Sequence, residues 1–196
     1  AYITELAAPE AMLQVGQPQG EKAGICNAEY VIGEAENLPF AENSFDMVVS
    51  RLAFHHFENA ETVMREMCRV LKLGGKLVIA DMAARKEELR EAADYYERLR
   101  DFSHMRCLSE KEFETLAEKS GITKEFTYLT EIPVRLSAWL DLTGVQGKTR
   151  EIIVTAMKDD LAGKRQTGFC PYMQNGEITF NHRWYLYIGK LPDKTV

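Results

Sequence analysis

Residues 33–57, GEAENLPFAENSFDMVVSRLAFHHF, constrain this chain most, because an acidic turn, an apolar strand and a paired-histidine segment follow one another without a gap. Tyr30, Val31 and Ile32 form a short apolar run, so Glu34, just after Gly33, falls at the carboxyl end of a predicted strand. That end is where open α/β sheets bind their ligands. Met47, Val48 and Val49 predict a second strand, which closes at Ser50 and Arg51 and brings polar side chains to the same edge. Two strand ends that point at one place read as half of a nucleoside-binding crevice.

The rest of the chain supplies a frame for that crevice. Apolar strand runs alternate with helix-period segments through residue 132, the rhythm of a largely parallel sheet covered on both faces. Asn59 caps a predicted helix in which Val63, Met67, Val70 and Leu71 recur at helical spacing, with Gly74 and Gly75 as its left-handed C-terminal cap. Lys76 to Ala80 is then a buried strand closing at Asp81. Residues 85–101 predict an amphipathic helix with Leu89, Ala93, Tyr96 and Leu99 on one side. Ser109 and Glu112 have capping-box spacing for another helix, which Gly121 ends, and Phe126 to Ile132 reads as a strand. After Pro133 the rhythm changes to helical segments at 136–142 and 149–161 and then to loop-like residues around Gly168, Pro171 and Asn175-Gly176. We read residues 133–180 as an insert over the sheet, within a single domain spanning 1–196. Ile178 to Phe180 and Trp184 to Ile188 predict antiparallel strands that close the sheet edge, while Trp139, Trp184 and the C-terminal tyrosines read as core or lid packing.

At 196 residues with 45% hydrophobic content, the chain suits one domain with one core. Lys+Arg 24 against Asp+Glu 30 gives a net charge of −6, which argues against a nucleic-acid partner and for a small uncharged or cationic one. The four cysteines, Cys26, Cys68, Cys107 and Cys170, show no CxxC spacing, so neither a metal site nor a disulfide framework is predicted. No apolar run approaches the ~18 residues of a membrane span, and a cytoplasmic location is the default expectation.

The 33–57 segment, together with RVLKLGGKLVIAD at 69–81, resembles the class I S-adenosylmethionine-dependent methyltransferases, and within them the small-molecule enzymes related to the ubiquinone and menaquinone C-methyltransferases. The resemblance covers roughly the first 80 residues. It implies a Rossmann-like, doubly wound, mostly parallel α/β sheet with an antiparallel edge strand and a helical cap. It also implies S-adenosylmethionine as cofactor and a small-molecule methyl acceptor, with carbon, oxygen and nitrogen acceptors all open. One feature departs from the family: no glycine-rich G-x-G-x-G loop occurs near the start. Ala1 to Glu5 instead resembles the family's second strand, and Ala7 to Gln17 the helix after it. The expectation is a fragment, with the central first strand omitted from the sequence, lost by truncation, or supplied by another chain. The sheet would then be left in two pieces with exposed edges. The rival reading is a truncated, inactive methyltransferase-like protein that acts as an oligomeric interaction partner, including as a homo-oligomer.

The resemblance also assigns residues. Glu5, with Leu6, stands where an acid accepts hydrogen bonds from ribose hydroxyls, and Glu34, with Ala35 and Glu36, stands beside the adenine amine. Leu38, Pro39 and Phe40 fix the turn. Ser50, Arg51 and Leu52 line the sulfonium side, where Arg51 either pairs with the cofactor's carboxylate or bridges to a surface acid. His55 and His56 are the candidates for a general base, since an unperturbed imidazole pKa of about 6.5 suits proton abstraction near neutrality. Neighbouring side chains point different ways, so at most one of them is catalytic and the other caps or packs. Asp81 either orients substrate or only ends its strand. In the region facing the acceptor, Tyr95, Arg100, His104 and Arg106 are the substrate-contact candidates, against the alternative of a solvated helix face.

Overall fold

The computed structural model describes residues 2–7 and 10–193. Strands β1 (Ile3–Ala7) and β2 (Ala28–Ile32) pair in parallel and are joined by helix α1 (Glu10–Lys22). The helix runs through Pro18, past the expected end at Gln17. Leu13 is buried, and Gly20 lies so close to the Tyr30 hydroxyl that a Cβ there would meet it. Packing against β2 thus outweighs one lost backbone bond.

A second, five-stranded sheet holds the rest. Strand β3 (Phe45–Arg51) leads through a 3-10 turn, Phe54–His56, into α2 (Ala60–Val70), then β4 (Leu71–Met82), α3 (Glu87–Arg100), α4 (Glu110–Lys119) and β5 (Thr123–Arg135). Helices α5 (Leu136–Leu142) and α6 (Gly147–Leu161) follow, then β6 (Tyr172–Gln174) and β7 (Glu177–Lys190). The strand order is β3-β4-β7-β5, with β3 parallel to β4, β7 antiparallel to both of its neighbours, and β6 folded onto β7. The two sheets share no strand pairing among the described residues.

Other boundaries also differ from the sequence reading. Helix α2 begins as expected, with the Asn59 side chain accepting from the Thr62 amide, but it ends at Val70 rather than at the glycines. Gly74 and Gly75 lie in the irregular start of β4, where Phe45 pairs with Leu71 and Met47 with Lys76. A Cβ on Gly74 would lie 2.3 Å from Asp193 Oδ1, and one on Gly75 2.8 Å from the Lys72 carbonyl. The glycines are there for close approach in a bulged strand, not to cap a helix. The two C-terminal strands are one continuous β7, placed between β4 and β5 instead of at the edge, with β5 as the outer strand. Their apolar residues continue through His182 and Arg183, whose side chains find partners at the end of the sheet. The capping box at Ser109 and Glu112 forms in full.

Two cores result. One joins Met64, Met67, Phe113 and Ala117 of α2 and α4 to Leu77, Ile79, Tyr185 and Tyr187 on one face of the sheet. The other packs Tyr96 of α3 against Trp139, Leu140, Ile153 and Met157 of α5 and α6, with Phe169 and Phe180. Register places Val49, Val78, Ile188 and Phe126 side by side on the opposite sheet face. That face carries no helix cover over Val49 and Phe126, which are 59% and 51% exposed.

Candidate active site

The site is built at the carboxyl ends of β3 and β4, along the seam between the two cores. Asp81 is its anchor. The side chain is fully buried, and its carboxylate accepts four hydrogen bonds: Oδ2 from the amides of Ala53 and Phe54, both at 2.8 Å, and Oδ1 from the Met82 amide at 2.7 Å and from His55 Nδ1 at 2.6 Å. The turn after β3 is therefore folded around this one acid. The Nδ1 edge of the His55 ring is thus committed to Asp81.

The approach to that turn is strained. Leu52 has φ +51°, a left-handed conformation that a branched side chain rarely adopts, while its amide still donates to the Ala80 carbonyl at 2.9 Å. Ser50, one residue before Arg51, is buried and its Oγ has no hydrogen-bond partner among the described residues. Strain and an orphaned hydroxyl at one strand end are the marks of a site held ready for a ligand. Arg51 is exposed, with its guanidinium 5.8 Å from the centre of the Trp184 ring.

Glu34 is exposed just past the end of β2, whereas Glu5, expected at a strand end, is exposed in the middle of β1, because the ladder with β2 continues through Leu6 and Ala7. The Glu5 carboxylate leans over α1, where Gly16 leaves it room. Glu34 opens a tight turn closed by its carbonyl and the Asn37 amide, and Ala35 packs onto the sheet core. Gly33 sits between Leu6 and the Pro39 ring, where a Cβ would come within 3.0–3.2 Å of them, while Glu36 is half-buried. Arg69 of α2 donates to the Leu38 and Phe40 carbonyls at 3.0 and 2.8 Å, and Glu66 accepts from the Leu38 amide at 2.9 Å. The Arg69 guanidinium also holds the Glu66 carboxyl below its ordinary pKa. This pair ties the segment after the Glu34 turn to α2.

The histidines diverge, as their adjacency requires. His55 is 7% exposed and its carbonyl accepts from the amides of Met105 and Arg106. His56 is half-buried; its Nδ1 lies 3.1 Å from both Oγ and the carbonyl of Ser103, and Ser103 Oγ in turn donates to Asp101 at 2.6 Å. Burial pushes the His56 pKa below its ordinary value, partly opposed by the Ser103 carbonyl, so the ring is neutral near pH 7.

The four substrate candidates separate into two pairs. Tyr95 is exposed, and Arg106 is exposed and ion-paired with Glu112. Arg106 and Glu112 line a cavity of about 760 Å³ whose wall also includes Phe54, Phe57 and Leu108. Arg100 and His104 lie inside: Arg100 pairs with the buried Glu97 at 3.1 Å and stacks on Trp139, and His104, 1% exposed, bonds Asp94 at 2.7 Å. The sequence reading did not single out Asp94, Glu97, Asp101 or Ser103. Their signal was the density of acids and imidazoles between residues 94 and 104 of one helix and its following loop.

An α/β domain with an exposed acid past one strand end and an acid-clamped turn after β3 is the setting in which the comparisons with known proteins fall. A sequence family described as a methyltransferase domain matches residues 1–79. The methyltransferase YcgJ of Bacillus subtilis is 29% identical over 180 residues, covering 90% of this chain and 71% of its own. Protein YafE of Escherichia coli K12 is 32% identical over 148 residues, 75% of this chain and 70% of its own. A demethylmenaquinone methyltransferase of Listeria welshimeri is 40% identical over 80 residues, 41% of this chain but only 34% of its own length. The solved structure of B. subtilis YcgJ superposes with a TM-score of 0.87 at 26% identity, over 98% of this chain and 83% of that one. The chain belongs to the class I S-adenosylmethionine-dependent methyltransferases. No helix among the described residues is long and apolar enough to cross a membrane.

Proposed function

We propose that the methyl group of S-adenosylmethionine is transferred to a small uncharged or cationic molecule in the crevice above Ser50, Leu52, Asp81 and the paired histidines. The observation that carries this reading is the Asp81 clamp, which fixes the His55 imidazole and the turn carrying both histidines at a strand end beside an unpartnered hydroxyl. The residues present fit the cofactor. Two exposed carboxylates, Glu34 just past the end of β2 and Glu5 within β1, are the groups that would hold adenine and ribose, with Leu6, Ala35 and Glu36 around them. Ser50 Oγ, Arg51 and Leu52 line the sulfonium side. When bound, the cofactor supplies a methyl group already activated on a sulfonium, so the protein's work is alignment and exclusion of water.

His56, neutral at pH 7 and half-exposed, takes the proton from an acceptor that carries one. His55 is the positioning residue, held by Asp81. Tyr95 and Arg106 contact the acceptor, whereas Arg100 and His104 act from below through Glu97 and Asp94. The insert at 133–180 caps the acceptor side. The experiment is an isothermal titration of S-adenosylhomocysteine into this chain. Saturable binding that Glu34→Ala abolishes without changing the melting temperature supports the assignment. A folded chain that shows no binding overturns the claim that these residues hold the cofactor.

A second reading, an interaction subunit, is favoured by the uncovered sheet face around Val49 and Phe126 and by the separate edges of β1 and β3. Exposed apolar faces of this kind mark association surfaces. This reading expects an oligomer by light scattering and is refuted by a monodisperse monomer.

A further inference from the structure

The methyl-transfer reading leaves unused a buried group of metal-competent side chains beneath His55. Asp94 on α3, and His104 and Cys107 on the loop that follows it, offer ligand atoms that all lie within 4.8 Å of one another. His104 Nε2 is 2.7 Å from Asp94 Oδ1, and the Cys107 amide donates to the same oxygen at 3.0 Å. A small cavity of about 60 Å³ opens onto the group, with Asp94, Glu97, Cys107 and His182 among its walls. The Nε2 atom of His182 is buried there and faces Glu97 Oε1 at 3.6 Å.

We propose that Asp94, His104 and Cys107 form a site for a divalent, borderline-soft metal ion of the Zn²⁺ kind, with the His182 and Glu97 side of the cavity as its open fourth position. One carboxylate oxygen, one imidazole nitrogen and one sulfur are the ligand types that Zn²⁺ takes, and three protein ligands with one open position is a recurrent zinc arrangement. Tetrahedral bonds of about 2.0–2.3 Å put ligand atoms roughly 3.5 Å apart. The 2.7 Å contact must therefore open by roughly an ångström as the ion replaces the hydrogen now shared between His104 and Asp94. Cys107 binds as thiolate and releases its proton to solvent, and His104 binds through Nε2 with its hydrogen on Nδ1.

Electrostatics favour a cation. The acids Asp94 and Glu97 both line the cavity, so a divalent cation there meets negative charge. The spacing His104-x-x-Cys107 is a sequence signal that a search for paired cysteines passes over. The ion would pin the loop whose Met105 and Arg106 amides hold the His55 carbonyl, and so would stiffen the turn that carries both candidate bases.

The test uses the purified chain stripped with a chelator and titrated with Co²⁺ and then Zn²⁺. One equivalent should bind with a sulfur-to-cobalt charge-transfer band, zinc should displace it, and zinc should protect Cys107 from iodoacetamide as read by peptide mass. Cys107→Ser should lose the band and bind zinc at least about tenfold more weakly, while Cys26→Ser and Cys170→Ser keep both. Absence of a sulfur band, a band that persists in Cys107→Ser, or alkylation of Cys107 in the unaltered chain that zinc does not slow would each overturn the proposal. The alkylation readout stands even if Cys107→Ser does not fold. None of these readouts involves methyl transfer.

Discussion

Replacing Asp81 by alanine is the sharpest perturbation this structure offers. Its carboxylate lies out of reach of water and accepts from three backbone amides and one imidazole. Removing it strands all four donors. A hydrogen bond to a charged group contributes about 1.5–3 kcal/mol, but four bonds on one carboxylate are not additive. Loss of one partner of a buried pair costs about 3–5 kcal/mol, and we take that as the expected loss for Asp81→Ala. With a urea m-value of about 2–3 kcal/mol/M, the unfolding midpoint should fall by about 1–2.5 M. Asp81→Asn, which keeps one acceptor oxygen, should lose about half as much. Urea titration followed by fluorescence of the two tryptophans reads this, and a double-mutant cycle with His55→Ala isolates the imidazole's share. A loss below about 1 kcal/mol for Asp81→Ala would show that the turn after β3 does not depend on the acid and would sink the clamp.

Glu97 is buried, and although burial works against its charge, His182, Arg100 and His104 hold its pKa below the ordinary 4.5. A depressed carboxylate contributes stability that is present above the unfolded pKa and lost as pH falls through the folded one. Stability should thus drop on acidification below about pH 4.5, and Glu97→Gln should flatten that limb; an unchanged limb refutes the assignment. An NMR titration of His56 should give a midpoint below 6.5, as burial dictates, and one at or above 6.5 contradicts it. Gly168 has φ +87°, and a Cβ there would lie 2.6 Å from the Leu89 carbonyl. Gly168→Ala should therefore cost about 1–3 kcal/mol in thermal melts, from overpacking and a disfavoured conformation together. An unchanged melting temperature would mean that the 168–169 turn is free to move off α3.

The candidate site was legible where chemistry and backbone position coincide. Glu34 and Ser50 could be placed because each follows an apolar run, and a strand must end where its apolar residues do. The paired histidines were visible as types, but their difference was not. His55 turns onto Asp81, 26 residues away, and His56 onto Ser103, 47 residues away, and no local spacing encodes such pairings. Arg100 and His104 read as substrate contacts or as part of a solvated face. They are inside because Glu97 and Asp94 share their side of α3 and the second core closes over them.

Periodicity and caps along the chain determined by themselves that strands alternate with helices to residue 132, that Ser109 opens a helix, and that a change of rhythm follows Pro133. These are short-range effects, set by side-chain direction and by backbone groups that need partners within a few residues. Only the tertiary structure decided that Gly74 and Gly75 serve a bulge, that β7 lies inside the sheet, and that Asp81, His55, His104, Asp94 and Cys107 meet along one seam. Those outcomes depend on which surfaces pack together, and buried polar groups must then find partners across distances that sequence spacing does not measure.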